Sequence, residues 1–315
     1  MRSNKIIQYV LNQLYRYPKS KLQRLDKFGG YFEFRKMIRN QRLMKLKSLE
    51  LLPIKSYNDG LPIYFLTGEK YLYQTLFCIQ SLSKNSIQKF RYILVDDGSF
   101  NEDLVERIKR QLPDAGVVSK EEISKNIEKY LPETDYPKLR SKRREYPHIK
   151  KLTDIHTIKE DAWKIVLDSD MLFYGEPTDL ITWLMHPEKS LHMIDCVEAY
   201  GYSRKLMETL SKTKIKEKIN VGIIGLNSKK IDWNALEKWC SILEEKEGSS
   251  YYLEQALTAM LIGDAETCEL LPESYIVNPE TDQIFKGGGI LHHYVDLSKK
   301  EYFNYAWKKF QNESR

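Results

Sequence analysis

The sequence predicts an α/β fold in which helices flank a mostly parallel sheet. From residue 61 onward, short apolar runs rich in β-branched residues alternate with segments whose apolar residues recur at helical spacing. This alternation is typical of parallel sheets with right-handed crossovers. The run Trp163–Leu167 is almost continuously apolar, as expected of a strand buried on both faces. Because ligands bind at the carboxyl ends of strands in such sheets, polar residues at those ends are the candidate site.

The elements follow from the apolar spacing and from the turn residues between them. Apolar residues on one face predict helices, and compact apolar runs bounded by turn residues predict strands. In chain order, we predict strands at 63–66, 91–95, 163–167 and 191–194, and helices at 71–82, 101–112, 179–185, 205–218, 231–243 and 251–262.

The composition is that of a soluble globular protein. The chain has 315 residues, of which 30% are charged and 42% hydrophobic. No apolar run approaches the roughly 18 to 20 residues that a membrane span needs. The segment Met1–Val10 is too polar for a secretory signal peptide, so we expect a cytoplasmic protein. The four cysteines are widely spaced, which predicts reduced core thiols.

Residues 1–60 form a basic extension in front of the main domain, 61–315. They carry 14 Lys and Arg against 4 Asp and Glu, whereas the rest of the chain carries 36 against 40. Apolar residues recur at helical spacing here, interrupted by Pro18 and by Gly29 and Gly30, which predicts two or three short helices. Such a surface can rest on an anionic membrane or hold an acidic acceptor, and a solvated helical face explains it equally well. We do not expect nucleic acid as a partner.

Polar residues end the first two predicted strands. Thr67 and Gly68 follow the first, and Asp96 and Asp97 follow the second. A carboxylate at a strand end can accept hydrogen bonds from a uracil ring N–H or from ribose hydroxyls, and Gly98 lets a base approach the backbone. The same residues also fit an ordinary turn. They are candidates for nucleotide binding.

Asp168 and Asp170 end the third strand as a D-x-D motif with Ser169 between them. In an extended backbone the two carboxylates point to one side and Ser169 points away. Like charges this close repel unless a cation or a proton lies between them. A divalent cation such as Mg²⁺ or Mn²⁺ accepts such oxygen ligands and can also hold a diphosphate. A polar turn after a strand is the alternative.

Further candidates lie before and after this motif. Residues 138–144 are strongly basic, and they either neutralise a diphosphate or form a solvated helix. Lys151 and Asp154 follow as candidate nucleotide-binding residues. Asn220 and Gly222 lie in a long apolar run, where glycine indicates close approach of a ligand or of a helix.

The last predicted helix opens with Glu254 and Gln255, and a short strand near the end of the chain carries two histidines, His292 and His293. These histidines face opposite sides of a strand, so only one can turn inward. A lone inward histidine is more often a core residue than a ligand.

From about Leu61 to Tyr294, the chain resembles the GT-A class of nucleotide-sugar-dependent glycosyltransferases, whose mostly parallel sheet is Rossmann-like. The resemblance covers about three quarters of the chain. The motifs that carry it, in order, are the opening strand, Val95–Ser99, Val166–Asp170, Asn220–Gly222, Glu254 with Gln255, and His293 with Tyr294.

The resemblance implies a residue set for each part of the site. Mn²⁺ or Mg²⁺ would be held by Asp168, Asp170 and His293, and Asp170 and Glu254 would be the catalytic residues. The implied sugar-binding residues are Asn220, Gly222, Glu254 and Gln255. The nucleotide-binding residues would be Thr67, Gly68, Asp96, Asp97, Lys151, Asp154, Asp168 and Ser169.

Two departures leave the stereochemistry open. The strand end at Asp96–Ser99 is typical of inverting bacterial polysaccharide transferases, whereas the later motifs are similar to retaining, glycogenin- and galactosyltransferase-like branches. Glu254 would be the base of an inverting enzyme, and it would orient the sugar in a retaining one. The Lys-Pro-Trp that follows the late histidine in glycogenin-like chains is absent, and Val295–Lys300 stands in its place.

Two other classes of protein remain as alternatives. A haloacid-dehalogenase-type phosphatase also places D-x-D after a buried strand, but it expects Thr or Val where this chain has Leu172, and its motif lies near the start of the domain. A non-catalytic nucleotide-sugar-binding protein would keep the fold without turnover. We expect a cytoplasmic transferase, peripheral on the inner membrane face, that moves a sugar from a UDP-sugar to a glycan or lipid-linked acceptor of a surface polysaccharide.

Overall fold

The computed structural model describes residues 25–312. Within them, seven strands form a central sheet in the order β3-β2-β1-β4-β7-β6-β8, and three form a small second sheet in the order β5-β10-β9. Only β7 of the central sheet runs antiparallel to its neighbours, so the prediction of a mostly parallel sheet is confirmed. The strands are β1 (Leu61–Thr67), β2 (Phe90–Asp96), β3 (Gly116–Val118), β4 (Trp163–Leu167), β5 (Met171–Phe173), β6 (Ser190–Ile194), β7 (Ile219–Asn227), β8 (Thr267–Leu270), β9 (Tyr275–Val277) and β10 (Leu291–His293).

Helices cover the faces of the sheet and the ends of the chain. Four of the six helices predicted with bounds begin and end within two residues of the predicted positions. The helices are α1 (Tyr31–Lys47), α2 (Leu72–Lys84), α3 (Glu102–Gln111), α4 (Lys120–Tyr130), α5 (Pro137–Glu145), α6 (Lys150–His156), α7 (Thr178–Met185), α8 (Arg204–Ser211), α9 (Trp233–Glu247), α10 (Leu253–Ile262), α11 (Thr281–Lys286), α12 (Lys299–Glu301) and α13 (Trp307–Asn312), with a π-helical turn at Tyr302–Ala306.

Both faces of the central sheet are buried, which explains its apolar strands. On β2, Tyr92 and Leu94 pack into one hydrophobic cluster, whereas Ile93 and Val95 pack into the cluster on the opposite face. Alternating side chains of one strand therefore enter two separate cores. This burial fixes the register of the strands and with it the position of their carboxyl ends.

The second sheet holds the segment after the D-x-D motif. Strand β5 begins at Met171 and pairs antiparallel with β10. Two backbone hydrogen bonds fix the motif between the sheets: Asp168 N–H donates to the carbonyl of Gly222 at 2.8 Å, and Tyr294 N–H donates to the carbonyl of Asp170 at 2.8 Å. Residues from β4, β7 and β10 are thereby brought to one place.

The described part of the predicted extension packs on the C-terminal helices. Met37 and Met44 of α1 are buried in a cluster with Phe77 and Trp307. The rest of α1 exposes basic side chains together with Phe32 and Leu46. The helical spacing predicted before residue 25 lies outside the described residues. Across residues 25–312, no helix is both long and apolar enough to cross a bilayer.

Two sequence-based expectations are wrong in detail. The helix predicted at 205–218 ends at Ser211, because Lys212 adopts a left-handed conformation with φ 59° and ends it. Cys78 and Cys240 are buried as predicted, but Cys196 and Cys268 are exposed.

Candidate metal and donor site

Asp168, Asp170 and His293 converge at the carboxyl end of β4. Nε2 of His293 lies 3.3 Å from Oδ1 of Asp170 and 3.7 Å from Oδ2 of Asp168. One ligand atom from each of the three residues lies within 4.8 Å of the others. The strand end therefore places two carboxylates and one imidazole around a common point.

The second strand histidine faces away from this point. Nε2 of His292 lies 2.6 Å from the carbonyl oxygen of Gly288, and its Nδ1 lies 3.3 Å from the hydroxyl of Tyr294. His293 is 2% exposed, and neither of its ring nitrogens has a hydrogen-bond partner among the described residues. Buried polar atoms are almost always paired, so this imidazole is set up to bind something else.

Gly222 of β7 makes room for the imidazole. A Cβ atom on Gly222 would lie 2.5 Å from Nδ1 of His293 and 2.8 Å from Cε of Met171. Glycine is thus required here for the packing of His293. The sequence indicated close approach of a ligand or of a helix, and the sugar contact that the resemblance implies stays a prediction. A Cβ atom on Gly225, three residues later, would instead meet the ring of Trp183.

Hydroxyl groups fix the residue between the two aspartates. Oγ of Ser169 lies 2.8 Å from Oγ1 of Thr75, which lies 2.8 Å from Oγ1 of Thr67. Ser169 points toward α2 and away from the carboxylates, as the alternation of an extended chain predicts. Thr67 and Ser169 therefore orient the motif.

The environment of Asp170 favours its ionised form. Burial would raise its pKa, but the charge of Lys299 and the contact with His293 outweigh burial and hold the pKa well below its ordinary value. Lys299 Nζ lies 3.2 Å from Oδ2 of Asp170. Lys299 belongs to the segment that replaces the Lys-Pro-Trp ending, and no local pattern in the sequence indicated its position.

Lys151 joins Asp168 to Glu254 inside the protein. Its Nζ donates to Oδ1 of Asp168 at 3.0 Å and to the carbonyl of Val221 at 3.3 Å, and lies 3.5 Å from Oε2 of Glu254. Burial alone would lower the pKa of Lys151, but these carboxylates raise it, so Lys151 is charged.

Glu254 is 3% exposed, and its Oε1 atom has no hydrogen-bond partner within residues 25–312. Burial raises the pKa of Glu254 to about 7, although the charge of Lys151 opposes the shift. A buried carboxylate with an open oxygen can accept a proton or a hydroxyl hydrogen bond near neutral pH.

Asn220 and Gln255 meet at a carboxylate that the sequence analysis missed. Nδ2 of Asn220 donates to Oδ2 of Asp195 at 2.8 Å, and Nε2 of Gln255 donates to the same atom at 3.4 Å. Asn220 also accepts the N–H of Gly222 at 2.9 Å. Asp195 directly follows β6, so the rule applied to the other strand ends could have found it.

Asp96 and Asp97 organise their own loop. Oδ1 of Asp96 accepts the N–H groups of Gly98 and Phe100 at 2.7 and 3.0 Å. Asp97 accepts the N–H and the hydroxyl of Ser99 at 3.0 and 2.5 Å. A Cβ on Gly68 would overlap Asp97 and Ser99, so this glycine lets two strand ends approach each other. The loop lies at the same edge of the sheet as the metal candidates.

Asp154 and the basic segment 138–144 are not brought into the site. Both oxygens of the fully buried Asp154 accept from Arg143, at 2.6 and 2.8 Å. The other cations of the segment that form ion pairs do so with glutamates: Lys138 and Lys142 with Glu244, Arg140 with Glu128, and Arg144 with Glu133. The positive charge therefore supports the fold.

The residues at the end of β4 fit a divalent metal ion. Two carboxylates and a neutral imidazole are the donor set that Mn²⁺ accepts, and the carboxylates alone suit Mg²⁺. The unpaired nitrogens of His293 are the structural observation that favours a ligand at this point.

No protein-family model matches the chain, and no curated protein matches its sequence. Its structure is similar to that of LgtC, a galactosyltransferase solved with donor and acceptor sugar analogues, with a TM-score of 0.51 and 14% identity over 80% of this chain and 94% of LgtC. The protein has the GT-A fold. The GT-A fold was the expectation from the sequence, and it is confirmed.

Two further solved structures show weaker likeness. Mouse xyloside xylosyltransferase 1 is 13% identical, with a TM-score of 0.49 over 76% of this chain and 97% of its own. The glycosyltransferase GlyE of Streptococcus pneumoniae is 15% identical, with a TM-score of 0.45 over 81% of this chain and 63% of its own. Because the fold is GT-A, the phosphatase alternative is set aside.

Proposed function

We propose that the protein is a metal-dependent glycosyltransferase that moves a sugar from a UDP-sugar to a glycan or lipid-linked acceptor in surface polysaccharide synthesis. The observation that carries this proposal is the convergence of Asp168, Asp170 and His293 at the carboxyl end of β4 in a GT-A fold, with both ring nitrogens of the histidine unpaired. Ligands of mostly parallel sheets bind at that edge.

The proposed donor site divides between three groups of residues. Asp168, Asp170 and His293 hold Mn²⁺ or Mg²⁺, which supplies Lewis-acid stabilisation of the charge on the departing diphosphate. Asp96 and Asp97 bind the nucleoside from the neighbouring strand end. Thr67, Gly68 and Ser169 position the strand ends at the carboxyl edge of the sheet. Asp154 has no role in the proposed donor site, because Arg143 donates hydrogen bonds to both of its carboxylate oxygens.

Lysines supply the positive charge near the diphosphate. Lys151 is held against Asp168, and Lys299 against Asp170. In this proposal Lys299 contacts a phosphate oxygen, as the lysine of the missing Lys-Pro-Trp ending would. An ammonium group in a site of low dielectric stabilises developing negative charge strongly.

Asn220, Gln255 and Glu254 form the proposed sugar side of the site. The side-chain amides of Asn220 and Gln255 donate hydrogen bonds to Asp195, which directly follows β6. In this proposal Asp195 accepts hydrogen bonds from sugar hydroxyls. Glu254 either deprotonates the acceptor hydroxyl of an inverting enzyme or orients the sugar of a retaining one. Product configuration, measured by NMR on the first transferred sugar, distinguishes these roles.

Calorimetric titration of UDP with and without Mn²⁺, repeated on Asp170→Ala, tests the proposal. We expect binding that requires both the metal and Asp170, followed by slow metal-dependent hydrolysis of a UDP-sugar. Binding without hydrolysis would favour the non-catalytic alternative. If neither UDP nor another nucleoside diphosphate binds under any condition, the transferase proposal fails.

The proposal also assigns residues 1–60 to contact with an anionic membrane and residues 61–315 to catalysis. On α1, the exposed Arg35, Lys36 and Arg39 form no ion pair within the described part of the chain, and Phe32 is 85% exposed beside them. Basic and aromatic side chains on one helix face favour anionic bilayers.

Sedimentation with vesicles of phosphatidylcholine and phosphatidylglycerol tests this contact. Truncation would remove Met37 and Met44 from the core, so the sharper variant is Arg35→Gln with Lys36→Gln and Arg39→Gln, which should lower the bound fraction several-fold. The matched control replaces the exposed Arg110, Lys125 and Lys238 by Gln. Equal sedimentation of both variants and the wild type would contradict the membrane contact.

A further inference from the structure

A cavity lies between α1 and the beginning of α2, outside the metal and donor site. Its volume is about 300 Å³, and it is lined by Gln41, Arg42, Lys45, Lys70, Tyr71 and Tyr73. The residues of α1 come from the extension, and the others from the loop after β1 and the start of α2. A cavity of this size is at the lower end of those that bind small molecules, and it is large enough for a diphosphate.

The cavity carries three positive charges that no residue in the described part of the chain neutralises. Arg42, Lys45 and Lys70 are exposed and form no ion pair with any residue in the described range 25–312. The neighbouring Lys47, by contrast, pairs with Glu50 at 2.9 Å. Converging cations without acidic partners are the usual receptor for phosphate groups.

The aromatic residues give the cavity a fixed wall. Nε2 of Gln41 donates to the hydroxyl of Tyr73 at 3.0 Å, which joins α1 to α2. Tyr73 is 3% exposed, and its burial raises its pKa to about 12, so the hydroxyl is neutral. Tyr71 is 51% exposed and offers an open ring face. The wall is thus part of the folded core, while its open side faces solvent.

The cavity is connected to the catalytic motif through one turn of α2. Thr75 N–H and hydroxyl both donate to the carbonyl of Tyr71, at 3.0 and 3.3 Å. The same threonine hydroxyl meets Ser169, the residue between the two aspartates, at 2.8 Å. A ligand in the cavity would therefore lie close to the proposed donor, on the side of the proposed membrane face.

We propose that this cavity binds a phosphate group of the acceptor, so that the acceptor is a phosphate-bearing glycan or a lipid-linked diphosphate. The inference rests on the proposed transferase function and deepens it by naming the acceptor chemistry. The donor diphosphate is assigned to Asp168, Asp170 and the lysines beside them, which leaves Arg42, Lys45 and Lys70 for a second anionic group. The phosphate contact holds the acceptor while its hydroxyl reaches the donor sugar.

The test uses inorganic pyrophosphate as the probe, titrated calorimetrically into the full-length protein in EDTA. The cavity variant carries Arg42→Gln, Lys45→Gln and Lys70→Gln. The control variant carries Arg110→Gln, Lys125→Gln and Lys238→Gln, which removes the same number of positive charges from exposed helix positions elsewhere. We expect the cavity variant to lose at least about tenfold in affinity and the control to lose less than about twofold.

Each other outcome overturns the proposal. Equal loss of pyrophosphate affinity in both variants, or no pyrophosphate binding to the wild type, would rule out the phosphate site. If the cavity variant lowers only vesicle sedimentation and not pyrophosphate affinity, the cavity is a contact for lipid headgroups. A parallel loss of Mn²⁺-dependent UDP binding would assign the cavity to the donor. Failure of the transferase function would show separately, as absent UDP binding in the wild type.

Discussion

The two ends of strand β4 both gather charged side chains, but in opposite ways. At the amino end, the hydroxyl of Tyr64 donates to Oδ2 of Asp161 at 2.8 Å, and Arg91 pairs with the same carboxylate. Lys164 Nζ donates to the carbonyl of Asp161 and to the hydroxyl of Ser228, both at 2.9 Å. These charges find partners within the chain, although Nε of Arg91 and Nε2 of His156, which lies beside Ser228, are buried without a hydrogen-bond partner among the described residues.

At the carboxyl end, two carboxylates crowd around an imidazole that has no hydrogen bond. His293 lies within 3.7 Å of both Asp168 and Asp170, and Glu254 nearby keeps one oxygen unpaired. An unpaired buried polar atom costs folding free energy, about 1–3 kcal/mol. The two ends differ in that the charges at the amino end pair with other groups of the chain, whereas the two carboxylates and the imidazole at the carboxyl end converge on a common point, an arrangement that favours a ligand.

The largest expected effect is on UDP binding, which a substitution at the carboxyl end of β4 should weaken strongly and one at the amino end should leave intact. Asp170→Ala should weaken UDP binding in Mn²⁺ by at least about 100-fold. It should also lower the free energy of unfolding, because ionised Asp170 is stabilised in the folded protein by Lys299. Asp161→Ala should keep UDP binding but lower the free energy of unfolding by about 2 kcal/mol, since the buried Tyr64 hydroxyl loses its acceptor.

Urea unfolding and UDP calorimetry on both variants measure these effects, and Asp161→Asn is the control that keeps an acceptor for Tyr64. The comparison between the two ends breaks down if Asp161→Ala impairs UDP binding as strongly as Asp170→Ala does.

A pair of glycine substitutions in β7 should give the next largest effect. Gly222→Ala would push against the imidazole of His293, so we expect Mn²⁺ affinity to fall about 10- to 100-fold. Gly225→Ala would meet the ring of Trp183, 2.6 Å from its Cη2 atom, and should lower stability while leaving the metal affinity of the folded protein unchanged.

Mn²⁺ titration followed by water-proton relaxation, together with thermal unfolding, distinguishes the two glycine variants. Unchanged Mn²⁺ affinity in Gly222→Ala would remove His293 from the proposed ligand set.

The smallest expected effect is a pH dependence at the amino end. Burial lowers the pKa of His156 to about 3, with a smaller contribution from the charge of Lys164. Below the ordinary histidine pKa of about 6.5, the unfolded chain therefore takes up a proton that the folded protein does not. The free energy of unfolding should fall by about 1 kcal/mol from this group between about pH 7 and about pH 5.5.

Urea unfolding at both pH values, on the wild type and on His156→Gln, isolates this contribution because the other groups cancel in the difference. His186→Gln changes an exposed histidine and should keep the wild-type slope. An equal slope in His156→Gln and the wild type would show that His156 is not responsible.

The strands and their ends could be predicted because their signals are local. Strand β4 begins at Trp163 and ends at Leu167, as its apolar run predicts, and Asp168 and Asp170 follow directly. Strand β8 was not predicted, because its pattern is short and partly exposed. In the small sheet, β10 was predicted as the short strand with the two histidines, whereas β5 and β9 were missed, since three-residue strands carry too little periodicity to be recognised.

Two basic segments illustrate a question that the sequence left open, namely which positive charges are neutralised within the protein. The segment 138–144 and helix α1 are both strongly basic, and either could have faced an anionic ligand. The basic residues of 138–144 pair with glutamates, some of them far along the chain, such as Glu244. Arg42 and Lys45 of α1, by contrast, have no acidic partner within the described range. Only the folded chain shows which charges are neutralised.

The sequence by itself determined the α/β architecture and the carboxylates at the strand ends, because alternation and apolar runs are set by neighbouring residues. The tertiary structure alone decided that His293 turns inward while His292 turns away, that Gly222 clears its place, and that Asp195 and Lys299 join the site. These positions depend on the pairing of β4 with β7 and of β5 with β10. Such contacts join residues far apart in the chain, and no local pattern encodes them.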